Sequence, residues 1–153
     1  MFEETESKCS ISGSFDKFKD LIDLTREEFE GLGVVVLAPG KGWLALPRRG
    51  VLPPAKIGFR PLPSEIGMSI KEIEDEFLRS VSASDFLYVV NPDGYIGTTV
   101  SLEVGYAVGK GVPVYALCPV DSGLDPDPFW QERLKEIRVM SPSQAAEDVK
   151  GLK

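Results

Sequence analysis

Apolar positions along this chain fall into two patterns that alternate. Phe86 to Val90 and Val112 to Leu117 are nearly unbroken apolar runs, rich in β-branched and aromatic residues, as expected of strands covered on both faces of a parallel sheet. Residues Lys8 to Ile11 and Val34 to Ala38 predict two earlier strands, and Arg138 to Met140 a short fifth. Between them the period becomes helical. Asp16 to Leu32 sets Phe18, Ile22 and Phe29 on one side. Ser69 opens a second helix, with Glu72 three residues later completing a capping box and Ile70, Ile73, Phe77 and Val81 on one face. Further helices are predicted after the third strand, from Asp127 to Ile137 and from Ser143 to about Lys150.

Five strands alternating with helices, without internal repeats, predict an α/β fold. Right-handed crossovers leave a doubly wound, flavodoxin-like parallel sheet of order 2-1-3-4-5, with helices on both faces, as the simplest arrangement. A length of 153 residues suits one domain spanning 1–153. In that order the connections after strands one and three leave on opposite faces of the sheet, and a ligand crevice opens between them. The loops meeting there are Ser12-Gly13-Ser14-Phe15 and Asp93-Gly94-Tyr95-Ile96-Gly97-Thr98-Thr99. Both precede helix N-termini, whose unpaired N–H groups can hold an anion. The same small residues also suit tight turns and caps.

The helix after the second loop carries one carboxylate near its start. At about 100 degrees per residue, Val100, Val104, Ala107 and Val108 share a face, and Glu103 lies about 40 degrees from Ala107, on the shoulder of that face. The side chain is expected to point along the sheet edge into the crevice. A carboxylate favoured by the helix dipole, worth about 0.3–1 kcal/mol, is the other reading. A capping box does not explain it, because with Thr98 as N-cap the third helical position is Ser101.

Composition narrows the chemistry. Charged residues make up 27% and apolar residues 42%, and the net charge is −7, as in a soluble globular protein. No apolar run approaches the roughly 20 residues of a membrane span, and the acidic start lacks the basic region of a signal peptide, so the cytoplasm is the expected compartment. Cys9 and Cys118 sit in or beside buried strands, where a thiol packs as a small apolar group. The chain has no histidine, which argues against a zinc site or a histidine-based triad. No metal and no cofactor are expected, and acid–base chemistry must rest on carboxylates, tyrosines, lysines or water.

Residues 40–68 form a 29-residue connection with five prolines and five glycines and no clear period, long enough for a lid or binding loop. Lys41, Arg48, Arg49, Lys56 and Arg60 against Glu65 give it +4, leaving −11 on the other 124 residues. With Trp43 and Phe59 it suits an anionic ligand bearing a flat base; a surface or subunit-contact loop is the competing reading. One basic segment on an acidic domain falls short of a nucleic-acid-binding face.

The run Glu103-Val104-Gly105-Tyr106-Ala107 resembles the signature of the nucleoside 2-deoxyribosyltransferase-like superfamily, which includes nucleoside 5′-monophosphate N-glycosidases. Asp93 to Thr99 resembles the loop of a branch with few characterised members. The resemblance implies that Glu103 is a nucleophile attacking the anomeric carbon of a nucleoside or nucleotide, forming a glycosyl-enzyme ester that water or a second base resolves. It also places the first-strand loop beside the sugar or its 5′-phosphate, and implies a homodimer or higher homo-oligomer with its site near the interface, Phe129, Trp130 and the 40–68 loop being the contact candidates. For the proton that the departing base needs, Asp93 is the first candidate and Tyr95 the next. Asp85 is read as capping the turn into the third strand, and Phe15 as packing on the ligand or in the core. The chain departs from the superfamily eight positions before Asp85, where relatives carry a polar residue and this chain has Phe77; Asp75 or Glu76 would replace it only by a register shift. A non-catalytic nucleotide- or nucleotide-sugar-sensing module is the alternative. A flavin-binding relative is a third reading, weakened by the lack of a long Ser/Thr-rich phosphate loop after strand one.

Overall fold

The computed structural model describes residues 6–39, 69–121 and 127–152. Strand β1 (Lys8–Gly13) lies inside a five-stranded parallel sheet, flanked by β2 (Val35–Ala38) and β3 (Phe86–Val90), with β4 (Val114–Ala116) and β5 (Arg138–Val139) beyond β3. The order β2-β1-β3-β4-β5 is the doubly wound, flavodoxin-like arrangement that the alternating pattern predicts. The helices are α1 (Phe15–Gly31), α2 (Ile70–Ala83), α3 (Thr98–Gly109), α4 (Pro128–Leu134) and α5 (Pro142–Lys150).

Because strand side chains alternate, each strand serves two cores. Cys9, Ile11, Phe86, Tyr88, Val90 and Tyr115 face Ile22 and Phe29 of α1 and Ala145, Ala146 and Val149 of α5. Phe29 packs edge-on against Phe86 and Tyr88, with centroids at 5.5 and 5.2 Å, a favoured arrangement of ring quadrupoles. Leu87, Val89, Val114 and Ala116 face the other way, against Val81 of α2 and Val100, Val104 and Ala107 of α3. All five residues of β3 are buried, which explains why its apolar run shows no alternation.

On β1 the same alternation has a polar side. Cys9 and Ile11 join the α1/α5 core, while Ser10 and Ser12, both fully buried, bond to the elements of the other face. The Ser10 and Ser84 hydroxyls lie 2.8 Å apart, and Ser12 meets α3.

Several boundaries differ from the sequence reading. Strand β1 runs on to Gly13, so Ser12 and Gly13 are strand residues in register with Val89 and Val90 rather than loop residues. A Cβ at Gly13 would come within 3.0 Å of Val90 O and 3.2 Å of Ile22 Cδ1, so a larger residue there would have to push its neighbours aside. Helix α3 is capped by Gly97, with Thr98 its first residue. Helix α4 stops at Leu134, and Ile137 is buried beyond its end. Helix α2 carries the Ser69–Glu72 capping box, yet Ile70 is exposed, since the helix meets the sheet through Val81 near its C-terminal end. Among the described residues, no helix is long and apolar enough to cross a membrane. The 40–68 loop lies outside the described residues.

Candidate functional site

Glu103 is the one buried carboxylate of α3, 4% exposed. Its position follows from two periodicities. The helical period puts it beside Val100, Val104 and Ala107, which seat α3 on the sheet, and the strand period turns Ser12 toward that same face. Ser12 Oγ donates to Glu103 Oε1 at 2.5 Å, a short bond of the kind a carboxylate accepts. Ser12 lies one residue before the end of β1 and Val90 ends β3, so the pair sits at the C-terminal edge of the sheet, where the connections diverge.

A second carboxyl meets the first. Glu74 on α2 is hydrogen-bonded to Glu103, and Glu74 Oε1 is closed to solvent with no N–H or hydroxyl partner among the described residues. Two carboxyls in such contact must share a proton. Both are held above the ordinary carboxylate range. For Glu103 burial is the main cause, followed by the neighbouring Glu74 charge, while the Ser12 bond pulls the other way. For Glu74 burial again leads, the bond from Glu103 opposes it and Asp75 adds to it. Burial and the mutual proximity of the two carboxyls thus both favour the neutral form over a pair of charges. Helices α2 and α3 are also joined by the Ser82 and Tyr106 hydroxyls, 2.8 Å apart.

Glu74 is absent from the sequence reading, although a signal was present: it follows Ile70 by four residues and precedes Phe77 by three, so it interrupts the apolar stripe of α2. The two substitutes considered for Phe77 face solvent instead. Asp75 pairs with Lys71 and Glu76 with Arg79 on the exposed side, and Phe77 packs against the α2/α3 core.

The remaining predicted residues are spread around this pair. Asp93 is exposed on the turn after β3 and is not among the groups acting on Glu103. Tyr95 is 42% exposed, with the Lys17 ammonium 4.0 Å from its ring centroid, a cation–π contact that links the two connections across the edge. Gly94 has φ +79° and is buried, whereas Thr98 and Thr99 are exposed at the start of α3. Neither Ser14, which caps α1, nor Gly97, which caps α3, makes a side-chain capping bond. Phe15 packs against the α1/α5 core. Asp85 lies just before β3 and accepts from Lys8 N–H at 2.8 Å, which joins the starts of β1 and β3.

The turn after β3 is pinned by Asn91, another residue the sequence reading passed over. Fully buried, its amide donates to Cys118 O at 2.8 Å and accepts from Cys118 N–H at 3.0 Å. Cys9 and Cys118 are free thiols, and burial pushes the Cys9 thiol up, out of its reactive range. Among the described residues no group of three or more acidic or cysteine side chains is placed to hold a metal ion.

No family model and no curated protein matches the chain. Among solved structures, the chain is similar to a conserved protein from Enterococcus faecalis V583, at 16% identity and a TM-score of 0.57, with 97% of this chain and 100% of that one covered. That likeness is one of fold.

Proposed function

We propose that the protein cleaves or transfers at the N-glycosidic bond of a nucleoside or nucleoside 5′-monophosphate, with Glu103 as nucleophile. The observation that carries this reading is the buried Glu103 carboxyl at the sheet edge, oriented by Ser12. A carboxylate fixed in a water-poor crevice can trap the oxocarbenium-like state of a glycosyl transfer as an ester. The Glu103-Val104-Gly105-Tyr106-Ala107 resemblance and the shared fold class support it. The positive end of the α3 dipole at the same edge suits an anionic substituent such as a 5′-phosphate. A cytoplasmic homo-oligomer is the setting that goes with this reading.

One observation favours the second reading, a nucleotide-sensing module. Burial favours the neutral form of Glu103, and a neutral carboxyl is a hydrogen-bond donor to a ligand rather than a nucleophile.

Incubation with ribo- and deoxyribonucleosides and their 5′-monophosphates, with and without a second base, followed by chromatography for free base, separates the two. The N-glycosidase reading expects release from one substrate class and its loss in Glu103→Gln. Absence of release from every substrate by folded protein would sink it in favour of sensing.

A further inference from the structure

Arg26 is a buried charge that the chemistry proposed for Glu103 does not use. It follows Ile22 by four residues and precedes Phe29 by three, so it stands on the core-facing side of α1, and it is 8% exposed. Its Nε and Nη2 are closed to solvent and meet no acceptor among the described residues. Those two atoms form one edge of the guanidinium, with N–H bonds that point the same way, and such an edge grips a carboxylate or phosphate through two oxygens. We infer that the Nε–Nη2 edge of Arg26 is a binding site for an oxyanion, the carboxylate or phosphate group of a ligand. The site is separate from the carboxyl pair: α1 covers the face of the sheet that carries Cys9 and Ile11, whereas Glu103 lies on α3, which covers the other.

A guanidinium stays charged, and burying it unpaired is costly, because each N–H loses water without gaining an acceptor. The fold's own charges do not offset this. Glu30 and Asp23, four residues on and three residues back along α1, both act on Arg26, yet neither is bonded to Nε or Nη2. Asp23 accepts instead from Lys19 Nζ at 2.7 Å. Cys9 on β1 acts on Arg26 as well, but its thiol is buried and kept neutral. Burial outweighs all three, so the charged form of Arg26 is disfavoured on balance.

Other buried polar side chains are satisfied from within. Ser10, Ser12, Thr25 and Asn91 each have a partner. An apolar residue of similar length would fill the flank of α1 without the cost of an unpaired charge. A two-pronged donor edge that the fold leaves unmet is accounted for by a group from outside the chain. Both atoms are closed to water, so the anion enters as the surrounding side chains part, and once enclosed it meets little competition from solvent.

Anion-dependent melting tests this. Wild type is titrated with inorganic phosphate and, separately, with acetate, the ionic strength being held constant with sodium chloride, and the same series is run on Arg26→Met and Arg26→Lys. One of the two anions is expected to raise the melting temperature of wild type by about 3–6 °C at roughly ten times its dissociation constant. Calorimetric titration with that anion is expected to give one site per chain, and the two arms tell a phosphate site from a carboxylate site. Arg26→Met keeps an apolar stem without the charge and is expected to show no response. Arg26→Lys keeps the charge without the two-pronged edge, and its response is expected to need at least about tenfold more anion. The lysine variant decides the matter by itself should the methionine variant fail to fold. A wild type that responds to neither anion up to tens of millimolar, or an equal response in wild type and Arg26→Lys, would overturn the site.

Discussion

Ser12 and Glu103 are separated by 91 positions in sequence and by 2.5 Å between Oγ and Oε1. The bond favours the ionised form of Glu103, against the burial and the Glu74 charge that favour the neutral form. Ser12 is therefore a group that keeps Glu103, the proposed nucleophile, accessible to ionisation.

Ser12→Ala removes that support, so Glu103 titrates at a higher pH than in the wild type. Activity that needs the carboxylate then appears at higher pH. The acidic limb of kcat/KM is expected to move upward, with losses on the order of 10–100-fold on that limb and near-recovery at alkaline pH. A uniform loss across the pH range would instead indicate that Ser12 only shapes the site.

The same burial makes the carboxyl pair a cost to folding. A carboxyl held above its ordinary value contributes fully below the unfolded value, near 4.5 for glutamate, and its contribution is lost as pH rises through the folded value. Glu103→Gln keeps a neutral group that can still accept from Ser12 and donate to Glu74. Its melting temperature is expected to match wild type near pH 4 and to exceed it increasingly toward pH 8, by roughly 2–4 °C for each kcal/mol relieved. Calorimetry at several pH values checks this; a constant difference would show that the pair is not strained by ionisation.

The parts of this molecule that were legible in its sequence are those decided by periodicity. Strand β3 announced itself because both faces are covered, and α2 because Ser69 and Glu72 close a local box. The end of β1 was misread because Ser-Gly-Ser looks like a turn, while in the folded chain Val89 and Val90 of β3 hold Ser12 and Gly13 in the ladder and small side chains admit α3. Glu103 could be placed on a helix shoulder from its own spacing. Glu74 could not be paired with it, since the approach of α2 to α3 depends on long-range packing such as Ser82 against Tyr106, and no local pattern encodes that.

Asn91 holds the turn that leads to α3. Replacing it with alanine strands the Cys118 N–H and C=O, both paired to it now. Asn91→Ala is expected to cost about 2–4 kcal/mol, because buried polar groups lose their partners. The midpoint of urea unfolding measures this. A loss below about 0.5 kcal/mol would mean that water or another group replaces the amide.

Glycines in the same segment differ in what they require of the backbone, and this separates two substitutions that look alike. Gly94 has φ +79°, and a Cβ there would approach Pro119 O to 2.7 Å and Asp121 N to 3.1 Å, while Gly94 O accepts from Asp121 N–H at 2.8 Å. Gly94→Ala must therefore move the turn off the β4 connection, at a cost of about 1–3 kcal/mol. Gly105, in the middle of α3, is exposed, and among the described residues no atom outside its own helix backbone lies within 4 Å of a Cβ position. There alanine reduces the freedom of the unfolded chain without contact or strain, and Gly105→Ala is expected to stabilise by about 0.4–1 kcal/mol. Unfolding midpoints of the two variants should move in opposite directions. If Gly105→Ala instead destabilises, something covers that face of α3 in solution, and light scattering on wild type and variant would show whether it is a second copy of the chain.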